Sequence, residues 1–261
     1  MRAPRYGHVQ ADDPFFSSED YGIFGSQKAS SKVYDGERQR VRDKLLALHD
    51  VLYPEIRRRG WDLHPHWHPP NIVSTWFIGR IQTIQFMKLR YLRSGDDVRR
   101  VGAMMGIPRP LDRAETQYTK HPMIGIRIDR HYVALELLLT DQAWWDAQNF
   151  RRKVEQHEAE RRQFVDLLRR LEADSIFGGW PDSQEPELIT TAADLADEGQ
   201  LLAWLAGFEP GYDWLRLGIW YNDHNNPCLT TRRISDEIIT HFEQLYPVYE
   251  FLLWRPDNNY R

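Results

Sequence analysis

The stretch MIGIRIDRHYVALELLLT, residues 123–140, decides the fold class. It contains two apolar runs rich in isoleucine, valine and leucine, separated by polar residues around Asp129 and Arg130. Two such runs joined by a short polar turn are typical of a β-hairpin. The pattern predicts one strand over Met123–Ile128 and a second over Tyr132–Leu139. A hairpin of this kind favours an antiparallel sheet.

Helical and strand patterns alternate on both sides of this hairpin. Apolar residues recur every three or four positions from Asp35, which predicts a helix, and Pro54 predicts a kink or break in it. Further strands are predicted at Ile72–Ile78, Gln82–Tyr91, Trp214–Tyr221 and Val248–Trp254. Further helices are predicted at Asp96–Met105, at Asp141–Ala173 with a jog in its polar middle, at Asp194–Leu205 and at Ser235–Leu245. The order predicts an α+β fold, a mostly antiparallel sheet with helices packed on one face.

The sequence divides into three segments. Residues 1–33 form an irregular arm, residues 34–173 an α+β domain, and residues 174–261 a strand–helix subdomain that completes or packs on the same sheet. Five apolar residues are candidates to pin the arm to the body: Phe15, Phe16, Tyr21, Ile23 and Phe24. YVALELLL, FVDLLRRL and IFGGW in one part match WLRLGIWY, FEQLYPVY and EFLLW in another. We interpret these either as a duplicated strand–helix–Trp unit or as ordinary strand–helix alternation.

The composition excludes several classes of protein. The chain has 261 residues, 41% of them hydrophobic and 28% charged, with a net charge of -4, so there is no global basic field for nucleic acid or an anionic membrane. A single cysteine excludes an internal disulfide framework. The first residues lack the apolar core of a signal peptide, and no apolar run approaches the roughly 20 residues that span a bilayer. These features predict a cytoplasmic protein with no membrane partner, and its ten tryptophans suit contact surfaces.

The stretch HPHWHPP, residues 64–70, is the strongest candidate for a metal site. Its ligands would be His64, His66 and His68, which share a face if the stretch is a strand, and imidazoles suit a divalent transition metal. A further ligand would come from His121, His131, Glu136 or Asp223. The surrounding prolines favour polyproline II, which turns the rings apart. The alternative is therefore a stiff loop whose rings pack against neighbouring tryptophans.

A basic segment, residues 80–113, is the candidate for nucleic-acid binding. It holds eight Lys or Arg and three Asp or Glu, with Phe86 and Tyr91 interleaved. Exposed cations next to aromatic rings can bind a single strand through phosphate contacts and base stacking. The candidate patch consists of Lys88, Arg90, Arg93, Arg99 and Arg100. The alternative is that these residues pair with the acidic segment 174–200 of the same chain.

Two other features can carry chemistry. Glu136 lies inside an apolar strand, which is typical either of a perturbed general acid or base or of a residue on a solvated sheet face. The polar loop NDHNN, residues 222–226, places Asp223 and His224 near Cys228, and turn formation accounts for it equally well. Gly-rich phosphate-binding loops and the G-x-S-x-G motif do not occur in the sequence.

Part of the chain resembles a small bacterial family of unknown function, the YktB-like proteins. The matching pieces are HPPNIVSTW (68–76), HPMIGIRIDRHYVALELLL (121–139) and DAQNF (146–150). They cover about residues 35–155, and the last hundred residues have no counterpart. The resemblance implies an α+β fold and transfers no catalytic residue. The C-terminal pattern is also similar to strand–helix–Trp domains appended to bacterial DNA-restriction-type proteins, which implies a binding or accessory role.

Together these features favour a non-enzymatic recognition or accessory protein that binds a protein partner through an aromatic-rich surface, without a cofactor. Two alternatives stay open. One is a metal-dependent hydrolase or nuclease that uses the histidine stretch, and the other is a nucleic-acid binder that uses the basic segment.

Overall fold

One antiparallel sheet of eight strands organises the part of the chain that the computed structural model describes, residues 11–66, 71–78, 83–106, 118–180 and 189–260. The strands are β1 (His64–Pro65), β2 (Val73–Ile78), β3 (Thr83–Leu92), β4 (Met123–Asp129), β5 (Val133–Leu139), β6 (Ile176–Trp180), β7 (Thr190–Thr191) and β8 (Trp214–Tyr221). Their order is β1-β3-β4-β5-β8-β6-β7, and β2 also pairs with β3. The predicted hairpin at the centre of the sheet, β4 and β5, is confirmed.

The helices are α1 (Ser18–Gly22), α2 (Asp35–Arg58), α3 (Gly95–Met104), α4 (Trp144–Gln156), α5 (Glu158–Leu168), α6 (Ala192–Leu195), α7 (Glu198–Gly207) and α8 (Ile234–Leu252). Short 3-10 helices cover Lys32–Tyr34, Asp141–Ala143, Pro227–Leu229 and Pro256–Asn258. The α+β class predicted from the sequence is confirmed. Among the helices described, none is both long and apolar enough to cross a membrane.

The register of the strands separates an inner face from an outer face. Tyr91 pairs with Ile124, and the row continues through Leu137 and Leu217 to Phe177. All five side chains belong to the main hydrophobic core, together with residues of α2, α4, α5 and α8. This inner face is therefore the one that the helical layer covers.

Because successive side chains of a strand point to opposite faces, the next row lies on the outer face. There Arg90 pairs with Gly125, Gly125 with Glu136, and Glu136 with Gly218. A smaller apolar cluster occupies one end of this face, where Val98 of α3 packs against the sheet. The strand sequences thus place buried charged residues and glycines at the middle of the outer face.

The described part of the N-terminal arm, from residue 11 onward, packs into the hydrophobic core. The side chains of Phe16, Tyr21, Ile23 and Phe24 are buried in the main cluster. The backbone N–H of Phe15 donates to the Leu229 carbonyl at 2.9 Å. Residues 1–10 of the predicted arm lie outside the described residues.

The prediction of a last strand at Val248–Trp254 is wrong. Helix α8 continues through Pro247 to Leu252, because Leu245, Val248, Tyr249 and Leu252 recur at helical spacing and are all buried. A short apolar run cannot be assigned to strand or helix by periodicity alone. Helix α2 likewise continues past Pro54 to Arg58, so Pro54 does not break the helix.

The two segments interpreted as a duplicated unit end differently. After α5 the first segment forms strand β6, whereas α8 of the second segment is followed by a 3-10 helix. The jog predicted in the long helix after the hairpin is confirmed, since His157 separates α4 from α5 in extended conformation.

Candidate functional site

A buried network of ion pairs lies on the outer face, with Glu136 at its centre. The Nε of Arg127 donates to Glu136 Oε1 at 3.2 Å, and Nη2 of Arg216 donates to the same oxygen at 3.1 Å. Arg216 Nη2 also lies 3.0 Å from Oε2. Each of the three side chains is about a tenth exposed or less. The Glu136 carboxylate therefore pairs with two guanidinium groups, one from β4 and one from β8.

The turn between β4 and β5 extends this network. Arg127 Nη1 donates to Asp129 Oδ2 at 3.0 Å, and Arg127 Nη2 donates to the Tyr132 hydroxyl at 2.7 Å. The other oxygen of Asp129 accepts from the backbone N–H groups of His131 and Tyr132. The turn thus fixes the Arg127 side chain in one orientation.

Three aromatic rings surround the Arg127 guanidinium. It lies 4.7 Å from the Tyr132 ring centroid, 5.4 Å from that of Phe86 and 6.0 Å from that of Trp220. The Tyr132 and Trp220 rings stack at 5.2 Å with 5° between their planes. All three rings are half-buried, so part of each reaches the surface. We call Phe86, Arg127, Tyr132 and Trp220 the aromatic–arginine patch.

Glycines make room for the long cationic side chains. A Cβ on Gly125 would lie 2.7 Å from Cγ of Arg90 and 2.4 Å from the Leu89 carbonyl oxygen. A Cβ on Gly218 would lie 2.0 Å from the Leu135 carbonyl oxygen. Glu136 pairs with both glycines, so neither neighbouring strand places a side chain directly beside that of Glu136.

Burial and charge act in opposite directions on this network. Burial alone would raise the pKa of Glu136, but the charges of Arg127 and Arg216 outweigh it and hold that pKa below its ordinary value. Burial also lowers the pKa of Arg216, despite the Glu136 carboxylate. All three groups are therefore charged. Removing one of them would leave the remaining charges buried with a partner missing and would destabilise the fold.

His66 is the histidine of HPHWHPP that approaches this face. It lies beside Arg90 and meets the Tyr118 ring edge-on at 5.7 Å. Its side chain is buried, and its Nδ1 has no hydrogen-bond partner among the residues that the structure describes. Burial, reinforced by the Arg90 charge, lowers the pKa of His66 to about 4, so the ring is neutral near pH 7.

His64 does not join His66. Its Nε2 lies 2.9 Å from Asp62 Oδ1, and its Nδ1 lies 3.5 Å from the hydroxyl of Tyr53 on α2. The two histidines thus contact different sets of neighbours, and His68 lies outside the described residues. Within the described ranges, no group of three or more His, Cys, Asp or Glu side chains is placed to hold a metal ion.

His121 belongs to a separate buried cluster at the end of β3. Its Nδ1 lies 3.6 Å from Asp146 Oδ2, while Asp146 Oδ1 accepts from Arg93 Nη2 at 2.9 Å. Burial lowers the pKa of His121, and Asp146 opposes this effect only in part. The backbone N–H of Trp254 also donates to Asp146, at 2.6 Å. This cluster ties the segment after α8 to the sheet.

The predicted nucleic-acid patch is divided among three places. Lys88 and Arg90 are buried on the outer face, and Arg93 is buried against Asp146. Arg99 and Arg100 are exposed on α3 and pair with Asp96 and Asp97 of the same helix. Glu198, which belongs to the acidic segment 174–200, pairs with Arg161 and Arg162, and these two arginines lie outside the basic segment.

The other candidate residues lie near the surface. His131 is exposed, and its carbonyl oxygen lies 3.1 Å from Nε2 of His224. The His224 ring stacks on Tyr21 at 3.6 Å. Asp223 Oδ1 accepts from the backbone N–H of Asn225, as expected for a turn residue. Of the candidates, the structure brings Glu136, Lys88, Arg90 and His66 onto or beside the outer face.

The sequence did not single out Arg127, Tyr132, Arg216 and Trp220 as site residues. For the two arginines a signal exists, since each lies inside an apolar strand, GIRID or WLRLGIWY, which indicates a buried charge that needs a partner.

No protein-family model and no curated protein matches the chain. The resemblance to the YktB-like family therefore stays a prediction.

We expect His66 to make the protein less stable in acid. The unfolded chain binds a proton near pH 6.5, whereas the folded protein binds it only near pH 4, so stability falls as the pH drops between these values. The full difference corresponds to about 3 kcal/mol. Urea unfolding of wild type and of His66→Gln at pH 7, 6 and 5 measures it.

The control for this experiment is His131→Gln, which removes an exposed histidine. The stability difference between wild type and His66→Gln should change more with pH than the difference between wild type and His131→Gln. Parallel pH profiles of all three proteins would contradict the prediction.

Proposed function

We propose that the protein is a non-enzymatic recognition protein that binds an acidic segment of a partner protein at the aromatic–arginine patch. The observation that carries the proposal is the arrangement of three half-buried rings around one fixed guanidinium. Arginine, tryptophan and tyrosine dominate the residues that supply binding energy in protein interfaces. A guanidinium already held in place loses little conformational entropy on binding.

The charges of the outer face support an acidic partner. Its described residues include four cationic side chains, those of Lys88, Arg90, Arg127 and Arg216. The described carboxylates of the same face are those of Asp129 and Glu136. The potential over this face is therefore positive although the chain as a whole carries -4, and a positive patch attracts a negative one.

Fluorescence anisotropy with dye-labelled hexaglutamate tests the proposal. We expect Trp220→Leu to weaken binding at least about tenfold, because it removes the ring that stacks on Tyr132 and contacts Arg127. Trp144→Leu is the matched control, since Trp144 is 40% exposed and belongs to α4, which packs on the inner face of the sheet. We also expect binding to weaken as salt rises from about 50 to about 300 mM.

Two results would overturn the proposal. One is that hexaglutamate fails to bind wild type even at low salt, and the other is that the Trp144 variant loses as much affinity as the Trp220 variant. A labelled single-stranded deoxythymidine 12-mer is measured in parallel. Tighter binding of this oligonucleotide than of the peptide would replace the proposal with nucleic-acid recognition.

A further inference from the structure

A cleft separates α3 from the segment that follows α8. Its volume is about 460 Å³, within the roughly 300–1,000 Å³ typical of small-molecule sites. Buried apolar side chains, those of Val101, Leu253 and Trp254, line it. Met104, which is half-exposed, also lines it, and methionine adapts readily to the shape of an apolar ligand.

The base of the cleft is held rigidly by the buried cluster around Asp146. Arg93, which lines the cleft, donates to Asp146 at 2.9 Å and to the Trp254 carbonyl at 3.2 Å. Because Asp146 also accepts from the backbone N–H of Trp254, both sides of the base are fixed relative to each other. A preformed site of this kind needs little reorganisation to bind.

The charges around the cleft are balanced. Among the described residues, its lining contains three arginines and three aspartates, namely Arg93, Arg100, Arg255, Asp62, Asp97 and Asp257. A ligand with one charge would meet as many like charges as opposite ones. A ligand that carries both an ammonium and a carboxylate group can meet an opposite charge at each end.

We propose that this cleft binds a zwitterionic ligand with an aliphatic side chain, a free amino acid or a short peptide. The aliphatic part packs on Trp254 and Val101, and the two charged ends contact the aspartates and arginines of the rim. The cleft contains none of the aromatic–arginine patch residues, so this inference is independent of the proposed function.

Titration of the whole protein with the dipeptide Leu-Leu, followed by backbone NMR, tests the inference. We expect the amide signals of Val101 and Trp254 to shift and to saturate below about 10 mM. The comparison ligands are N-acetyl-Leu-Leu, which lacks the ammonium, and Leu-Leu-amide, which lacks the carboxylate. Each should bind at least about fivefold more weakly than Leu-Leu. Titration with leucine distinguishes a free amino acid from a peptide as the preferred form.

The chain offers a closely matched pair of variants. Arg99 and Arg100 are adjacent on α3, similarly exposed, and each pairs with an aspartate three residues earlier, but only Arg100 lines the cleft. We expect Arg100→Ala to weaken Leu-Leu binding at least about fivefold and Arg99→Ala to change it less than twofold. Both variants should fold, since exposed ion pairs of this kind contribute little to stability.

Three results would overturn the inference. They are the absence of any shift at Val101 and Trp254, equal loss of affinity in the two variants, and blocked dipeptides that bind as tightly as the free one.

Discussion

Replacing Glu136 with alanine should destabilise the protein by about 3–5 kcal/mol, because Arg127 and Arg216 would remain buried without their shared carboxylate. The desolvation of both guanidinium groups is offset in the native protein by contacts of 3.0–3.2 Å to Glu136. Removing the carboxylate leaves two like charges close together in a buried site. Equilibrium unfolding in urea measures the loss.

The control for Glu136 is Glu198→Ala. Glu198 also pairs with two arginines, Arg161 and Arg162, but its side chain is 38% exposed. Solvent screens such pairs, so we expect Glu198→Ala to lose much less stability than Glu136→Ala. Equal losses in the two variants would show that the Glu136 network does not behave as a buried set of charges.

A quadruple variant, Arg127→Met, Asp129→Asn, Glu136→Leu and Arg216→Met, tests whether the cost comes from the charges left behind. It removes the charges of the network together, including that of Asp129, which pairs with Arg127 at 3.0 Å and would otherwise stay buried without it. Because the cost of a broken ion pair comes from the charge left behind, the quadruple variant should recover much of the stability that Glu136→Ala loses. The same variant should also lose hexaglutamate binding, since it removes the guanidinium at the centre of the proposed binding site.

Replacing Gly218 with alanine should have the second large effect, a loss of at least about 4 kcal/mol or failure to fold. A Cβ at this position would lie 2.0 Å from the Leu135 carbonyl oxygen and 2.8 Å from Cα of Glu136. Both atoms belong to the backbone of β5, which pairs with β4 on its other side. The clash therefore cannot be relieved by rotating a side chain, and it would force β8 away from β5.

The control is Gly102→Ala on α3, where no described atom outside the surrounding helical backbone and the neighbouring residues lies within 4 Å of the new Cβ. Alanine in a helix is favoured over glycine, so we expect a gain of about 0.5–1 kcal/mol. Circular dichroism and urea unfolding compare the two variants. A Gly218→Ala protein as stable as wild type would contradict the close approach of β8 and β5.

The central hairpin could be predicted because its information is local. The apolar residues of 123–128 and 132–139 and the turn at Asp129 all lie within one stretch of sequence. The end of α8 could not be predicted in the same way, because its apolar residues fit a strand or a helix equally well until their burial is known.

The partners of Glu136 could be predicted only in part. The sequence singles it out as a carboxylate in an apolar strand, but one of its two arginines lies 80 positions further along the chain. Only the order of the strands brings Arg216 beside it. For His66, the sequence suggests a metal ligand. In the structure the ring is buried beside the positively charged Arg90, which would repel a metal cation bound there.

The strand order also has a consequence for how the chain folds during synthesis. Among the described strands β8 is the last to be synthesised, yet it lies between β5 and β6, which are complete by residue 180. Until residues 214–221 emerge, β5 exposes an unpaired edge and β6 lacks the strand that joins it to the rest of the sheet. The two parts of the sheet therefore join only after β8 has been synthesised, and until then the edge of β5 is open to pairing with the edge of another chain.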